Sequence, residues 1–426
     1  MHRPATDFPA FDTDWLDGLA EGCRGLRGSH PRFEDLYLER RLEIRVAPDA
    51  SIDTVRLEGG AARWRFPSRW AMHAGSGISS AAVAELVSHY ADRLKAPPRR
   101  RTRDGELNPP PGWIESAISL AGRGVDVRFF KRWAVVIRRD GWREVSTPAL
   151  IRVEQAAPAS GALLAVSGHP SLAEWVRSLL DPPPAKTWNP PSGTACPVIF
   201  TDGSSGVLLH ELVGHMVEGD LVASGRSPLA GLGGANLSEA EIDLVDDPRR
   251  ADLPGAFDTD DEGVRSGPIT LLRSGRLCGV LCDRETAETC GVPAGRGRRT
   301  DWRLPPIPRL SNLVVPPGTG SPQDLEADLK RGLVVTRLAG ATVDPVSSRA
   351  VLRVERGHEI RNGRRRRPLG PFELTGGVIE ILAGIDPTVG DDPTPDWRLG
   401  WCLKDGLPLP TGSEAPTMLV HRLEVL

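Results

Sequence analysis

Apolar and polar positions alternate clearly in the first third of the chain. "LYLERRLEIRVA" (36–47), "TVRLEGGAARWRF" (54–66) and "WAMHAGS" read as strands, with a turn placed at Gly59-Gly60. Residues 12–27 read as a short helix, and "ISSAAVAELVSHYADRL" (78–94) carries a serine cap and apolar Val83, Leu86, Val87 and Tyr90 at helical spacing. "KAPPRRRTRDGELNPPPG" (95–112) has no period and reads as an exposed Pro/Arg loop. A strand pair follows, "GVDVRFFKRWAVVIRRDG" and "WREVSTPALIRVEQA", turning at Asp140-Gly141, and then a helix over 169–180.

The prolines of "DPPPAKTWNPPSG" (181–193) interrupt every regular pattern and mark the clearest boundary. Beyond it, "ACPVIFTDG" reads as a buried strand leading into a helix. The remainder is mostly β, with hairpins expected at 267–283 and 349–369 and a short helix within 318–332. The pattern therefore predicts an α+β protein of mixed and antiparallel, β-rich sheets with packed helices. Its two domains are expected at 1–180 and 194–426, joined by the Pro-rich linker 181–193, the second domain mostly β and carrying the helix that follows "ACPVIFTDG".

A length of 426 residues supports two cores, and Gly 46 with Pro 39 fits a turn-rich β protein. Lys+Arg 53 against Asp+Glu 56 leaves a net charge of −3, which gives no electrostatic reason to expect general nucleic-acid or acidic-membrane binding. No apolar run reaches the roughly 18–20 residues of a membrane helix. The acidic, proline-broken first residues do not read as a secretory signal. Six scattered cysteines do not form a disulfide framework, and a reducing cytoplasm is expected.

The chemistry concentrates in "LLHELVGHMVEGD" (208–220), where His210-Glu211 is followed by His215: HExxxH, one residue longer than the HExxH of ordinary zinc proteases. Neutral imidazoles are natural zinc ligands, and an adjacent carboxylate can serve as a base. On a regular helix, residues five apart diverge by about 140° at about 100° per residue, whereas residues four apart differ by about 40°. Both imidazoles reach one metal only if the helix is distorted, for example by a single π-type turn. Gly214 lowers the cost of such a distortion. Glu218 and Asp220 could orient the imidazoles through their other nitrogens. A third ligand remains to be found among the following carboxylates, His358, His421 and the cysteines. Cys402, in the glycine-flanked "LGWCLKDGLPLPTG", stands out. The CxxxC pair Cys278/Cys282 reads as two thiols packed on one face of a strand.

"GVLLHELVGHMVEGD" resembles the signature of the TldD/PmbA family, metallopeptidases long labelled modulators of DNA gyrase. "DTDDEG" (258–263), "GRGRRTDWRLPPIPRLSN" (295–312) and the closing "GWCLKDGLPLPTGSEAPTMLVHRLEV" follow in the family's order, so the resemblance covers 194–426. It implies that His210, His215 and Cys402 are metal ligands, that Glu211 is the general base, and that the metal is Zn2+. It further implies a cytoplasmic peptidase acting on small or unfolded peptides. The expected assembly is a dimer of family subunits, either a homodimer or a heterodimer with a relative lacking the motif. An extended peptide would suit pairing to a strand edge, with 308–315 the first candidate.

Two other readings compete. A non-enzymatic regulatory or binding protein associated with gyrase or DNA would use the run "RNGRRRRPLG" (361–370) and ignore chelators. An inactive partner subunit of a peptidase complex would lack the metal motif, which this chain keeps.

Overall fold

Leu36, Leu38, Leu42 and Ile44 face one way and Tyr37 the other, as period-2 alternation requires, and they lie on the central strand of a seven-stranded sheet. The computed structural model describes residues 11, 13–24, 26, 32–67, 69–88, 113–156, 159–165, 186–344, 346–397 and 400–426. The sheet comprises β1 (Arg32–Val46), β2 (Ile52–Arg65), β3 (Trp70–Ser76), β4 (Val125–Arg138), β5 (Gly141–Val145), β6 (Leu150–Ala156) and β7 (Ala159–Ala165). Its order is β3-β2-β1-β4-β6-β7, antiparallel throughout, with β5 on the second half of β4. The stretch read as one strand after Asp140-Gly141 is thus two, β5 and β6, which pair with opposite ends of β4.

Helices Thr13–Arg24 and Ser80–Ser88 pack Trp15, Leu16, Leu19, Val83 and Leu86 against Leu36, Leu38 and Trp64 on one face. Ala82 N–H donates to Ser79 Oγ at 3.2 Å, which is the expected serine cap. A helix not foreseen from the pattern, Trp113–Ala121, covers Leu42, Ile44 and Val46. The Pro/Arg loop 95–112 and the expected helix 169–180 lie outside the described residues.

The turn expected at Gly59-Gly60 is not there: both glycines sit inside β2, in register with Glu39 and Leu38 of β1. Their role is spatial. A Cβ on Gly59 would stand 2.2 Å from the Trp302 indole. That indole enters the opposite face of the sheet, against Tyr37, Ala134 and Val136. Gly59 thus admits a side chain from far along the sequence, while Gly60 lets Leu38 and Leu86 close in.

The second half is built around a closed barrel. Its strands are β8 (Ala195–Phe200), β9 (Arg331–Asp344), β10 (Arg349–Arg361), β11 (Arg364–Leu369), β12 (Phe372–Gly377) and β13 (Met418–Val425). They run β9-β8-β13-β12-β10-β11, and pairing of β9 with β10 closes the ring. The β10–β11 hairpin turns at Asn362 (φ 51°) and Gly363 (φ 67°), the positive-φ pair that Asn-Gly supplies. Its arginines are largely paired, Arg361 and Arg367 with Glu359 and Arg365 with Glu326. A six-stranded sheet containing Leu244–Asp246, Asn312–Val314 and Gly412–Ala415 packs beside the barrel. The core between them buries Val207, Leu208, Leu212 and Val213 of the motif stretch. Among the described residues no helix is long and apolar enough to cross a membrane.

Candidate metal centre

β8 ends at Phe200, and the chain reverses through Asp202 (φ 53°) and Gly203 (φ 85°) into the helix Ser204–Leu209. A side chain at Gly203 would meet the Asp396 backbone at 3.0 Å, so position and conformation both call for glycine. Ser204 Oγ donates to Thr201 O and Val335 O, pinning the helix start to β9. Regular helix then stops. His210–Gly214 forms one π turn, and His215–Val217 a 3-10 turn. The His215 amide donates to His210 O, so residues five apart close a single wide turn, as the HExxxH spacing requires. The two imidazoles meet with ring centroids 4.7 Å apart. Gly214 has ordinary right-handed angles (φ −52°, ψ −58°), so it is not a source of backbone freedom. Its bare Cα instead lets Leu310 and Leu313 approach, within 2.8 and 2.9 Å of where a Cβ would lie.

Cys402 reaches these rings from the hairpin Trp401–Lys404/Leu407–Pro410, which turns at Asp405 (φ 51°) and Gly406 (φ 77°). Its Sγ lies 3.3 Å from His210 Nε2 and 3.0 Å from His215 Nε2. Among the described residues this is the group of three whose donor atoms could hold a metal ion, all within 4.8 Å of one another. Two imidazole nitrogens and one sulfur are donors suited to a borderline-soft divalent ion.

His215 Nδ1 contacts Glu218 Oε2 at 3.1 Å, which leaves Nε2 to face the sulfur. Glu218 is fully buried and also holds Lys404 Nζ at 2.9 Å. Asp220 does not reach an imidazole; it pairs with Lys404 at 2.7 Å. Arg309, fully buried, donates to Cys402 O at 2.7 Å and Leu407 O at 2.8 Å. Lys404 and Arg309 therefore fasten the cysteine hairpin to the histidine turn. Sequence reasoning missed both, although they stand in the quoted "CLKDG" and "PRLSN". Burial would push the Cys402 thiol up, but His215 and His210 outweigh it and hold it well below the usual thiol range. Burial likewise opposes charge on His215, yet Cys402 and Glu218 raise it well above the ordinary imidazole value. Burial disfavours ionised Glu218, but His215, Lys404 and Arg309 bring it down to about 2.

Glu211 opens onto a cleft of about 700 Å³ with His210, Cys402, Trp401, Arg337, Arg353 and the Leu338–Gly340 stretch of β9. Register slips in β9 leave Ala339 and Gly340 out of the pairing with β10, and β8 pairs with β9 only over 333–335. Gly340 (φ 119°) faces the Glu211 carboxylate: a Cβ there would lie 3.3 Å from Glu211 Oε1. The 308–315 stretch is not an open edge, because Asn312–Val314 is paired to Leu244–Asp246 on one side and Gly412–Ala415 on the other. His358 and His421 stay outside the metal group; His421 contacts Asp386 at 3.2 Å. Cys278 is exposed and Cys282 buried beyond the end of the strand Arg276–Leu277, so the pair shares no strand face.

A closed barrel thus carries a π turn with two histidines and a hairpin cysteine whose donor atoms could together hold a metal ion. The profile of the PmbA/TldA metallopeptidase C-terminal domain matches residues 192–426, and the chain belongs to that family. A metalloprotease TldD homolog from Buchnera aphidicola subsp. Acyrthosiphon pisum is 31% identical over 235 residues, 55% of this chain and 48% of the relative. One from Haemophilus influenzae is 32% identical over 230 residues, 54% and 48% respectively. The chain thus matches about half the length of these relatives. In fold it is similar to TldE from Thermococcus kodakarensis (TM-score 0.68, 17% identity, 92% of this chain and 95% of that one). A Thermotoga maritima protein described as a candidate modulator of a DNA gyrase has a TM-score of 0.63 at 17% identity, with 92% and 95% covered.

Proposed function

We propose that the chain is a zinc-dependent peptidase hydrolysing small or unfolded peptides, with His210, His215 and Cys402 as the zinc ligands and Glu211 as the general base. The carrying observation is the convergence of both Nε2 atoms and the Cys402 sulfur beside a cleft that also contains the Glu211 carboxylate. When bound, zinc supplies a Lewis acid that polarises a carbonyl and lowers the pKa of water. Glu211 takes the proton from the attacking water and delivers it to the leaving amine. Glu218 keeps the His215 ring oriented, while Arg309 and Lys404 hold the hairpin that presents the sulfur. The stretch of β9 around Ala339 and Gly340, outside the pairing with β10 and beyond the end of its pairing with β8, would suit main-chain pairing to an extended peptide, as a sequence-tolerant enzyme uses. Residues 1–180 and 194–426 are proposed as the two domains, with 181–193 as linker. The working form is a cytoplasmic dimer, with a second TldD/PmbA-family subunit as the first candidate partner.

Metal analysis of the purified chain should find about one zinc per chain. Incubation with unfolded peptides, alone and with a related family subunit, should show cleavage that Glu211→Gln abolishes with metal retained. Cleavage at the wild-type rate by Glu211→Gln, or wild-type zinc content in Cys402→Ser, would overturn the assignment.

A further inference from the structure

Trp401 walls two clefts. On one side lies the cleft of the metal centre, and on the other a second cleft of about 560 Å³ between β4 and the cysteine hairpin. The Phe130 ring meets the Trp401 indole edge-on at 5.6 Å and gives this second cleft an apolar wall. Four cationic side chains line it, Arg41, Lys131, Arg132 and Arg298, and no carboxylate does so among the described residues.

Two of the four are already neutralised from outside, Arg41 by Glu39 and Arg132 by Asp261 at 2.9 Å. Among the described residues the other two hydrogen-bond only to carbonyls. Lys131 Nζ donates to Thr147 O at 2.8 Å. Arg298, 4% exposed, donates to Leu310 O and to Pro410 O, with its guanidinium 5.0 Å from the Phe257 ring. Glu144 acts on Lys131, and Asp261 and Asp246 act on Arg298, but none of these acids lines the cleft or forms an ion pair with the cation. Burial accordingly pushes Lys131 down and Arg298 down to about 9. A buried cation without a paired carboxylate is costly, so an anion bound beside it would offset that cost.

We propose that this second cleft is a substrate subsite that binds a peptide carboxylate between Lys131 and Arg298, with the bound chain passing Trp401 to reach the metal centre. The inference rests on the peptidase reading and names its substrate class: peptides with an anionic group a few residues from the cut bond. The carboxylate comes either from the peptide's C-terminus or from an Asp or Glu side chain.

The test is equilibrium binding to the zinc-loaded full chain carrying Glu211→Gln, so that bound peptide is not cut. The probe is a fluorescent alanine pentapeptide in three forms: free C-terminal acid, C-terminal amide, and amide with glutamate as the last residue. At least one anionic form should bind ten-fold or more tightly than the plain amide, and the tighter of the two names the source. Lys131→Gln should bring that ratio close to one with zinc content unchanged, and Lys131→Arg should preserve it. Equal binding of all three forms, no measurable binding of the anionic forms, or a ratio untouched by Lys131→Gln would overturn the subsite. Because the readout needs no cleavage, failure of the subsite is separable from failure of the peptidase reading, which shows as no cleavage by the wild-type chain.

Discussion

Glu211 lies in the π turn and Glu218 just past the 3-10 turn that follows it, and the two occupy opposite surroundings. Glu211 is half-buried at a cleft wall, and Glu218 is sealed among His215, Lys404 and Arg309. The two substitutions should therefore separate cleanly. Glu218→Gln is expected to weaken metal affinity roughly 10–100-fold, as loss of a ligand's orienting partner does, measured by competition with a chelator. Glu211→Gln should leave that affinity near wild type. Gly340→Ala places a side chain at φ 119° and 3.3 Å from Glu211 Oε1. It should lower kcat at unchanged metal content, and equal kcat in steady-state assays would refute a spacing role for this glycine. At this scale the HExxxH spacing was legible because a ligand geometry constrains helix phase. The reason for Gly214 was not, since Leu310 and Leu313 fill the space beside it from nearly a hundred residues away.

The candidate metal centre joins two elements that sequence alone treats separately, a π turn and a β-hairpin. Arg309 is the tie between them, with two of its hydrogen bonds ending on hairpin carbonyls. Arg309→Met should leave those buried acceptors unsatisfied and cost roughly 2–4 kcal/mol, with metal content falling in parallel. Denaturant unfolding and metal analysis of the same preparation check both effects. Elements with a long period were readable: β1, the hairpin β10–β11 and the strand β8 fall where alternation and turn residues placed them. Short helices such as Arg284–Cys290 and Val378–Ala383, seven and six residues long, carry too few turns to show a period. Gly59-Gly60 misled for a different reason: a glycine pair marks a turn or a close approach, and only Trp302 decides which.

Across the molecule, the first sheet and the barrel half are joined by buried charge. Arg63 Nε donates to Asp35 at 2.9 Å and its Nη1 to Glu262 at 2.7 Å, while Arg284 contacts Glu34 and Asp35. Arg63→Leu leaves Glu262 without its guanidinium and Asp35 with Arg284 alone, and should cost roughly 3–5 kcal/mol in denaturant unfolding. Nearby, burial and the Glu262 charge raise Asp283 to about 6. Its protonated form favours the fold fully below the unfolded pKa near 3.8, and that contribution is lost as pH rises through about 6. Asp283→Asn, which keeps an acceptor for Thr286, should therefore gain on wild type by up to roughly 3 kcal/mol between about pH 4 and 7, read from paired unfolding curves. The order of the strands has one more consequence, and it concerns time. β8, which launches the histidine turn, is held between β9 and β13, and Cys402 follows His215 by 187 residues. At about 5–20 residues per second of synthesis, both histidines exist for roughly ten to forty seconds before the thiol does. A nascent chain thus spends that interval without the third member of the group, and the complete His–His–Cys cluster appears on the ribosome only after five of the six barrel strands have been made.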